Sequence, residues 1–132
     1  MRIPPQGDGW LDFDLREVMD AVGPHEDLSW HLSGGWIVFR DDDPSQQLVR
    51  LAQGAESDSG VGLTWPDMRQ LSEECLQIID GRFVGRRDGH PVLSIAAVDS
   101  SYWIVWTAEE RVADLLRRAF RGVEDYPEPS PA

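Results

Sequence analysis

The chain has 132 residues, the usual length of a single domain. Six tryptophans and a 41% hydrophobic content argue against intrinsic disorder, because chains that stay unfolded contain few large aromatic side chains. Twenty-four acidic residues against twelve basic ones give a net charge of −12. This balance disfavours nucleic acid and anionic membranes as partners and favours a basic protein partner, although it would also serve solubility alone.

The sequence is typical of a cytoplasmic protein. Its apolar runs are too short for a membrane-spanning helix, and no apolar segment typical of a secretory signal follows Met1. A single cysteine excludes an intramolecular disulfide and fits a reducing cytosol. All twelve basic residues are arginine, with no lysine and no asparagine, which indicates a GC-rich bacterial genome.

The first half of the chain predicts one helix followed by short strands. Apolar residues at helical spacing predict the helix over about 12–22, ended by Gly23-Pro24. Two β-prone runs around a glycine-rich turn predict a hairpin. The remaining expectations are an irregular lead-in over 1–9, hairpin strands over 28–32 and 36–39, a third strand over 47–52 and a mobile loop over 53–62.

The second half predicts two helices around three strands. Thr64, with Pro66 in the first turn and Asp67 three residues after the cap, indicates a helix start, and the helix is expected to end near Gln77. Thr107 and Glu110 repeat this capping pattern before an amphipathic helix. The strands are expected over 78–85, with a bulge or bend at Gly81, and over 92–98 and 102–106. Asp88-Gly89 predicts a turn between the first two of them.

These elements follow the order α-β-β-(β)-α-β-β-β-α. Short connections make neighbouring strands antiparallel, because parallel pairs need long crossovers. The sequence therefore predicts an α+β fold, with an antiparallel sheet of about five strands and three helices on one face. Residues 1–126 are expected to form a single domain, and 127–132 a flexible proline-rich tail.

The ionisable residues do not form a recognisable catalytic or metal-binding motif. Cys75 lies on an apolar stripe near a predicted helix end, which favours an inert packing role over a reactive thiol. His25, His31 and His90 lack the spacing of zinc ligands. Asp80 and Asp99 would meet at a sheet end, but aspartates there mostly make turn hydrogen bonds. We expect no cofactor, no metal and no catalytic residue.

The aromatic residues indicate a binding surface. Side chains alternate along a strand, so Trp103 must face opposite to Tyr102 and Trp106. If helices cover one sheet face, the other face presents aromatics, which dominate interface hot spots. Trp30 and Trp36 raise the same expectation, although covering of both faces stays an alternative.

Two acidic segments complete the predicted site. Asp41, Asp42 and Asp43 form a run in a turn, and Glu56 and Asp58 lie in the predicted mobile loop. Such exposed acids would steer a basic partner electrostatically, and tryptophan or tyrosine side chains would anchor it. The predicted partner-binding residues are Asp41, Asp42, Asp43, Glu56, Asp58, Trp30, Trp36, Tyr102 and Trp103.

The segment Gln77-Ile-Ile-Asp-Gly, with Asp99-Ser-Ser-Tyr-Trp and a short amphipathic helix ending at Phe120, resembles small bacterial α+β proteins. Some of these are similar in size and acidity to immunity proteins that neutralise toxins. The similarity covers about residues 63–123. It implies a non-catalytic cytosolic inhibitor that blocks a toxin active site with acids and aromatics.

Three other functions stay open at this point. The first is a small-ligand-binding or regulatory domain with a Trp-lined pocket between sheet and helices. The second is an enzyme that uses Asp80, His90 or Asp99. The third is a homodimer formed through an exposed aromatic sheet face.

Overall fold

A computed structural model describes residues 1–7, 13–126 and 130–131. Over these residues the chain forms one six-stranded antiparallel sheet and four helices, so the predicted α+β class is confirmed with one strand and one helix more than expected. The strands are β1 (Arg2–Ile3), β2 (Ser29–Phe39), β3 (Val61–Leu63), β4 (Cys75–Arg87), β5 (His90–Val98) and β6 (Tyr102–Thr107). The helices are α1 (Leu15–Val22), α2 (Gln46–Ala55), α3 (Trp65–Glu74) and α4 (Glu110–Ala119).

The sheet has the order β1-β6-β5-β4-β2-β3, and each neighbouring pair is antiparallel. Strands β4, β5 and β6 form a meander through short turns. In the first turn, Asp88 and Gly89 both have positive φ angles, as the predicted Asp-Gly turn requires. Strand β1 adds to the edge of β6, where Arg2 also bridges to Glu124.

The strand register separates the side chains into an inner and an outer face. Across the inner face, Leu32, Phe83, Ile95 and Val105 form one cross-strand row, and all four are fully buried in the core. Helix α1 contacts α3 and α4, and the buried residues of all three helices belong to the same core. These helices therefore lie on the inner face, because burying an apolar stripe against an apolar sheet face is what stabilises such a layer.

Capping boxes fix where two of the helices begin. Asp14 accepts the backbone N–H of Leu15, and its own N–H donates to Glu17, which completes a capping box for α1. Thr64 and Asp67 make the same reciprocal pair at α3, so the predicted start of that helix is confirmed. These caps satisfy N–H groups that have no partner within the helix.

The predicted hairpin over residues 28–39 is wrong, because this segment is the single strand β2. Gly34 and Gly35 are extra residues opposite Gly81 of β4, so they form a bulge instead of a chain reversal. Gly34 has a φ angle of +61°, and a Cβ atom on Gly35 would lie 2.8 Å from Cβ of Ala55. Gly34 thus allows the backbone conformation of the bulge, and Gly35 allows α2 to pack close to β2.

Several other boundaries also differ from the expectations. The predicted strand over 47–52 is helix α2, which Ser45 caps, and Leu48, Leu51 and Ala55 form its buried stripe. The predicted loop over 53–62 is shorter in the structure, because α2 extends to Ala55 and β3 begins at Val61. Helix α3 ends at Glu74, not near Gln77, because β4 begins at once. The segment 1–9, expected to be irregular, contains strand β1.

At α4 the predicted capping box is also wrong. Thr107 belongs to β6, and Glu109 is the N-cap, without a side-chain cap bond. The start of the first predicted helix at residue 12 lies outside the described residues, as do 127–129 and 132 of the predicted tail. The longest helix in the described part of the chain has 10 residues, whereas about 20 are needed to cross a bilayer, and none qualifies as a membrane span.

Candidate protein-binding surface

Strands β2 and β4 continue beyond their neighbours in the sheet. Strand β3 pairs with β2 only over Trp30–Leu32, and the ladder between β4 and β5 begins at Gly81. The segment Trp36–Phe39 of β2 and the segment Cys75–Asp80 of β4 therefore form a two-stranded extension, which we call the ribbon. A ribbon has fewer neighbours to cover it than the centre of a sheet.

The ribbon has one covered side and one open side. Ile37 and Phe39 pack against the core, and Ile78 is fully buried in it. Alternation then directs Trp36 away from the core, and its side chain is 61% exposed. Leu76, next to buried Cys75, is 58% exposed. These are the two most exposed large hydrophobic side chains of the described residues, and both lie on the ribbon.

Acidic residues lie at both ends of the ribbon. At the far end, Asp41, Asp42 and Asp43 follow β2 after Arg40, and all three are exposed. At the near end, Asp58 and Asp80 line a shallow groove of about 370 Å³, which also includes Gly34 and Gly81. Because Asp80 is the cross-strand partner of Trp36, the exposed indole lies between two groups of carboxylates.

The loop that carries Glu56 and Asp58 is attached to the base of the ribbon. The backbone N–H of Gly34 donates to the carbonyl of Ser57 at 3.2 Å, and Ser57 Oγ accepts the N–H of Gly60 at 3.1 Å. Glu56 and Asp58 are both exposed. We call Trp36, Leu76, Asp41–Asp43, Glu56, Asp58 and Asp80 the ribbon surface.

The structure removes two residues from the predicted site. Trp30 is 3% exposed and Trp103 is fully buried, so the expectation that they reach solvent is wrong. Both point to the inner face: Trp30 pairs with Leu63 and Gly85, and Trp103 pairs with Ala97 and Ile3. The helices cover that face, and a side chain beneath them cannot contact a partner.

Tyr102 lies on the outer face, away from the ribbon. Alternation along β6 places it opposite to Trp103, as expected, and its ring is half-buried under the guanidinium of Arg2, 4.5 Å from the ring centroid. The structure thus brings Trp36 and Asp58 close to the same strand pair and leaves Tyr102 apart. Sequence reasoning missed Leu76, which lies on an apolar run, and treated Asp80 only as a turn or acid–base residue.

Asp80 and Asp99 do meet, through a turn hydrogen bond. The Asp80 carboxylate accepts the backbone N–H of Asp99 at 2.8 Å. Asp99 and Ser100 have positive φ angles, so this contact stabilises a tight β5–β6 turn. The arrangement is the local turn chemistry that the sequence favoured.

A second cleft, of about 410 Å³, lies between the start of α1 and the ribbon. Asp14, Arg40 and Cys75 are among the residues that line it. The Asp14 carboxylate accepts the N–H of Leu15 at 2.7 Å and of Ile78 at 3.0 Å, so it joins α1 to the ribbon. Burial nevertheless raises the pKa of Asp14 to about 6.

The single thiol lies in this cleft and is unreactive. Burial, together with the nearby charge of Asp14, raises the pKa of Cys75 to about 12. A nucleophilic cysteine needs the opposite shift, because the thiolate is the reactive form. Cys75 therefore acts as a packing residue. Among the described residues, no three His, Cys, Asp or Glu side chains group together as metal ligands do.

A further cleft, of about 500 Å³, lies between α1 and α3. Met19, Trp65 and Pro66 supply apolar lining, and Asp20 and Arg69 form an ion pair at 2.7 Å at its side. Trp65 is largely buried, so it presents only an edge to this cleft. The cleft is the feature closest to the Trp-lined pocket that the sequence left open.

No family model, no curated protein and no solved structure matches this chain.

Proposed function

We propose that the chain is a non-catalytic protein-binding module that binds a basic protein partner through the ribbon surface. In its most specific form, the proposal is a cytoplasmic bacterial immunity protein that neutralises a toxin. The observation that carries it is the 61% exposed indole of Trp36, which lies on a strand pair with carboxylates at both ends. A large exposed aromatic side chain is otherwise unfavourable in water.

The division of labour on this surface follows from its chemistry. Tryptophan is enriched among interface hot spots, because it buries a large rigid area at little cost in conformational entropy. Exposed carboxylates contribute mainly to the rate of association, through long-range attraction of a basic partner. We therefore assign the anchor to Trp36 and the steering to Asp41–Asp43, Glu56 and Asp58.

The first experiment locates the contact. A photo-crosslinking amino acid replaces Trp36 in the full chain, and a second variant carries it at His90, an exposed position at the start of β5. Crosslinking in the native host, followed by mass spectrometry, should give a basic protein at position 36 and not at position 90. An equal yield at both positions, or an acidic protein captured at position 36, would contradict the proposal.

The second experiment measures the captured protein in purified form. We expect Trp36→Ala to weaken its affinity by about 30-fold, the effect of a hot-spot residue. The triple change of Asp41, Asp42 and Asp43 to Asn should slow association by about tenfold at low salt and flatten its salt dependence. If Trp36→Ala leaves the affinity unchanged, the captured protein does not bind through the ribbon. If the partner is a toxin, the wild-type chain also blocks its activity.

A small-ligand-binding domain is the second candidate, and the cleft between α1 and α3 favours it. Met19, Trp65 and Pro66 would contact an apolar part of the ligand, and Arg69 and Asp20 its polar groups. A thermal-shift screen of metabolites tests this function. If a ligand raises the Tm of the wild type but not that of Trp36→Ala, it binds at the ribbon. If the rise in Tm is lost only in Arg69→Ala, the ligand binds in the cleft.

A further inference from the structure

His25 is a buried histidine at the junction of several elements. It lies in the loop between α1 and β2 and is 4% exposed. Its backbone carbonyl accepts the indole N–H of Trp30 at 3.1 Å, and its ring packs against Trp65 at the start of α3, with 5.9 Å between ring centroids. Movement of this side chain would therefore disturb β2 and α3 together.

The hydrogen bonds of the ring fix where its first proton lies. Nδ1 is 2.8 Å from the carbonyl oxygen of Gly23, which can only accept, so Nδ1 carries the proton that donates to it. Nε2 then holds a lone pair in the neutral ring and becomes a donor only when the ring binds a second proton.

The atom that Nε2 faces is also an acceptor. Oε1 of Glu109, at the start of α4, lies 3.7 Å away, and this buried oxygen has no hydrogen-bond partner in the described part of the chain. With a neutral ring, a lone pair and a carboxylate face each other. With a protonated ring, the same two atoms form a charge-assisted hydrogen bond on a small approach.

We propose that His25 and Glu109 form a proton-dependent clasp. A proton on Nε2 fastens the α1–β2 loop to the start of α4, and loss of that proton to solvent loosens the loop. The clasp uses no residue of the ribbon surface, so it stands independently of the proposed binding function.

The other charges nearest to this junction belong to an ion pair. Asp27, in the same loop, pairs with Arg87 at the end of β4 at 2.6 Å. The hydrogen bond from Arg87 lowers the pKa of Asp27, and His25 adds a smaller lowering. Asp27 raises the pKa of Arg87, with smaller additions from Glu109 and Asp88. Helix α3 and β2 contribute the uncharged rings of Trp65 and Trp30. The Asp27–Arg87 pair thus stays ionised.

The test follows the indole N–H of Trp30, because it bonds to the His25 carbonyl. Its hydrogen exchange rate in the full chain is measured by NMR between about pH 5 and 8, the range in which histidine ordinarily titrates. Each rate is divided by that of the buried Trp103 indole, which removes the intrinsic pH dependence of exchange. The Trp30 rate divided by the Trp103 rate should rise about tenfold from about pH 5 to about pH 8. Loss of one charge-assisted hydrogen bond changes an equilibrium constant by about this factor.

Two variants separate the clasp from a general charge effect. In Glu109→Gln, the amide N–H can donate to neutral Nε2, so the ratio should stay flat and low across the pH range. Glu110→Gln removes the same charge one residue later and should keep the wild-type rise. A flat ratio in the wild type, or a rise that persists in Glu109→Gln, would overturn the clasp.

A measurement on the unmodified chain covers the case in which Glu109→Gln does not fold. The ring ¹⁵N shifts report which nitrogen carries the proton in neutral His25, with exposed His90 as the reference within the same molecule. The clasp requires the Nδ1–H form. Finding the proton on Nε2 of the neutral ring would refute it, because the Gly23 carbonyl and Glu109 would then have exchanged their roles.

Discussion

The centre of the sheet and the ribbon belong to one sheet and have opposite surroundings. In the centre, Trp103 and Phe83 lie under three helices and are fully buried. On the ribbon, the inner side still joins the core through Ile78, but Trp36 on the other side is 61% exposed. Apolar alternation along a strand therefore implies burial only where neighbouring elements continue beside it.

The largest effect should come from the centre. Trp103→Ala removes a fully buried indole and leaves a large cavity, so we expect a loss of about 3–5 kcal/mol in the free energy of unfolding. Urea unfolding followed by circular dichroism measures it.

Trp103→Phe is the control for that change. The buried indole N–H of Trp103 has no hydrogen-bond partner among the described residues, so phenylalanine removes an unsatisfied donor together with some volume. We expect a loss clearly smaller than that of Trp103→Ala. Equal losses would mean that the cavity is not the dominant cause.

The loop at the base of the ribbon should be the next most sensitive place. Gly60 has a φ angle of +67°, and a Cβ atom there would overlap the Leu32 carbonyl oxygen. Gly60→Ala therefore combines backbone strain with a clash against a rigid strand, and we expect a loss of about 3 kcal/mol. Gly89→Ala is the matched control, since Gly89 also has a positive φ angle but open space around it. A loss no larger than that of the control would show that the loop moves freely.

The difference between the two regions also marks what the sequence could predict. The capping box at Thr64 and Asp67 and the turn at Asp88-Gly89 depend on residues close in the chain, and both were predicted correctly. The sequence predicts a hairpin at Gly34–Gly35, where the structure has a bulge. Strand β4 pairs with β2 on both sides of this bulge, and it lies more than 40 residues further along the chain. Alternation predicted that Tyr102 and Trp103 face opposite ways, but not which face the helices cover.

The site was harder to predict than the fold for the same reason. Trp30 and Trp36 lie on one strand and look alike in sequence, yet only the register and the end of β3 leave Trp36 exposed. Leu76 lies within the helix that the sequence predicts to end near Gln77, because nothing nearby in the sequence shows that α3 ends at Glu74. Exposure depends on which distant elements stop short, and local patterns do not contain that information.

Asp14 joins the core side of the molecule to the ribbon, and its titration should be visible in stability. Its folded pKa of about 6 exceeds the ordinary aspartate pKa of 3.8, so the folded chain binds more protons than the unfolded chain between these pH values. Its stabilising contribution is complete below about pH 4 and is lost as the pH rises through 6. We expect the wild type to lose about 2 kcal/mol over this range relative to Asp14→Asn.

The measurement is urea unfolding of both proteins at several pH values between about 4 and 7.5. Asp67→Asn is the control, since Asp67 accepts a backbone N–H at the start of α3 in the same way. It should keep the wild-type pH dependence. Parallel curves for the wild type and Asp14→Asn would show that the buried carboxylate does not titrate in this range.

The smallest effect on stability should come from the residue with the largest proposed role in binding. Trp36→Ala removes a side chain that is mostly in water, so we expect a change of less than about 0.5 kcal/mol in the free energy of unfolding. A loss comparable to that of Trp103→Ala would mean that Trp36 stabilises the ribbon itself, and its exposure would then need no partner. A near-zero loss, together with the 30-fold weaker binding expected above, would separate the two tryptophans by what they contact: the protein's own core for Trp103, and another polypeptide for Trp36.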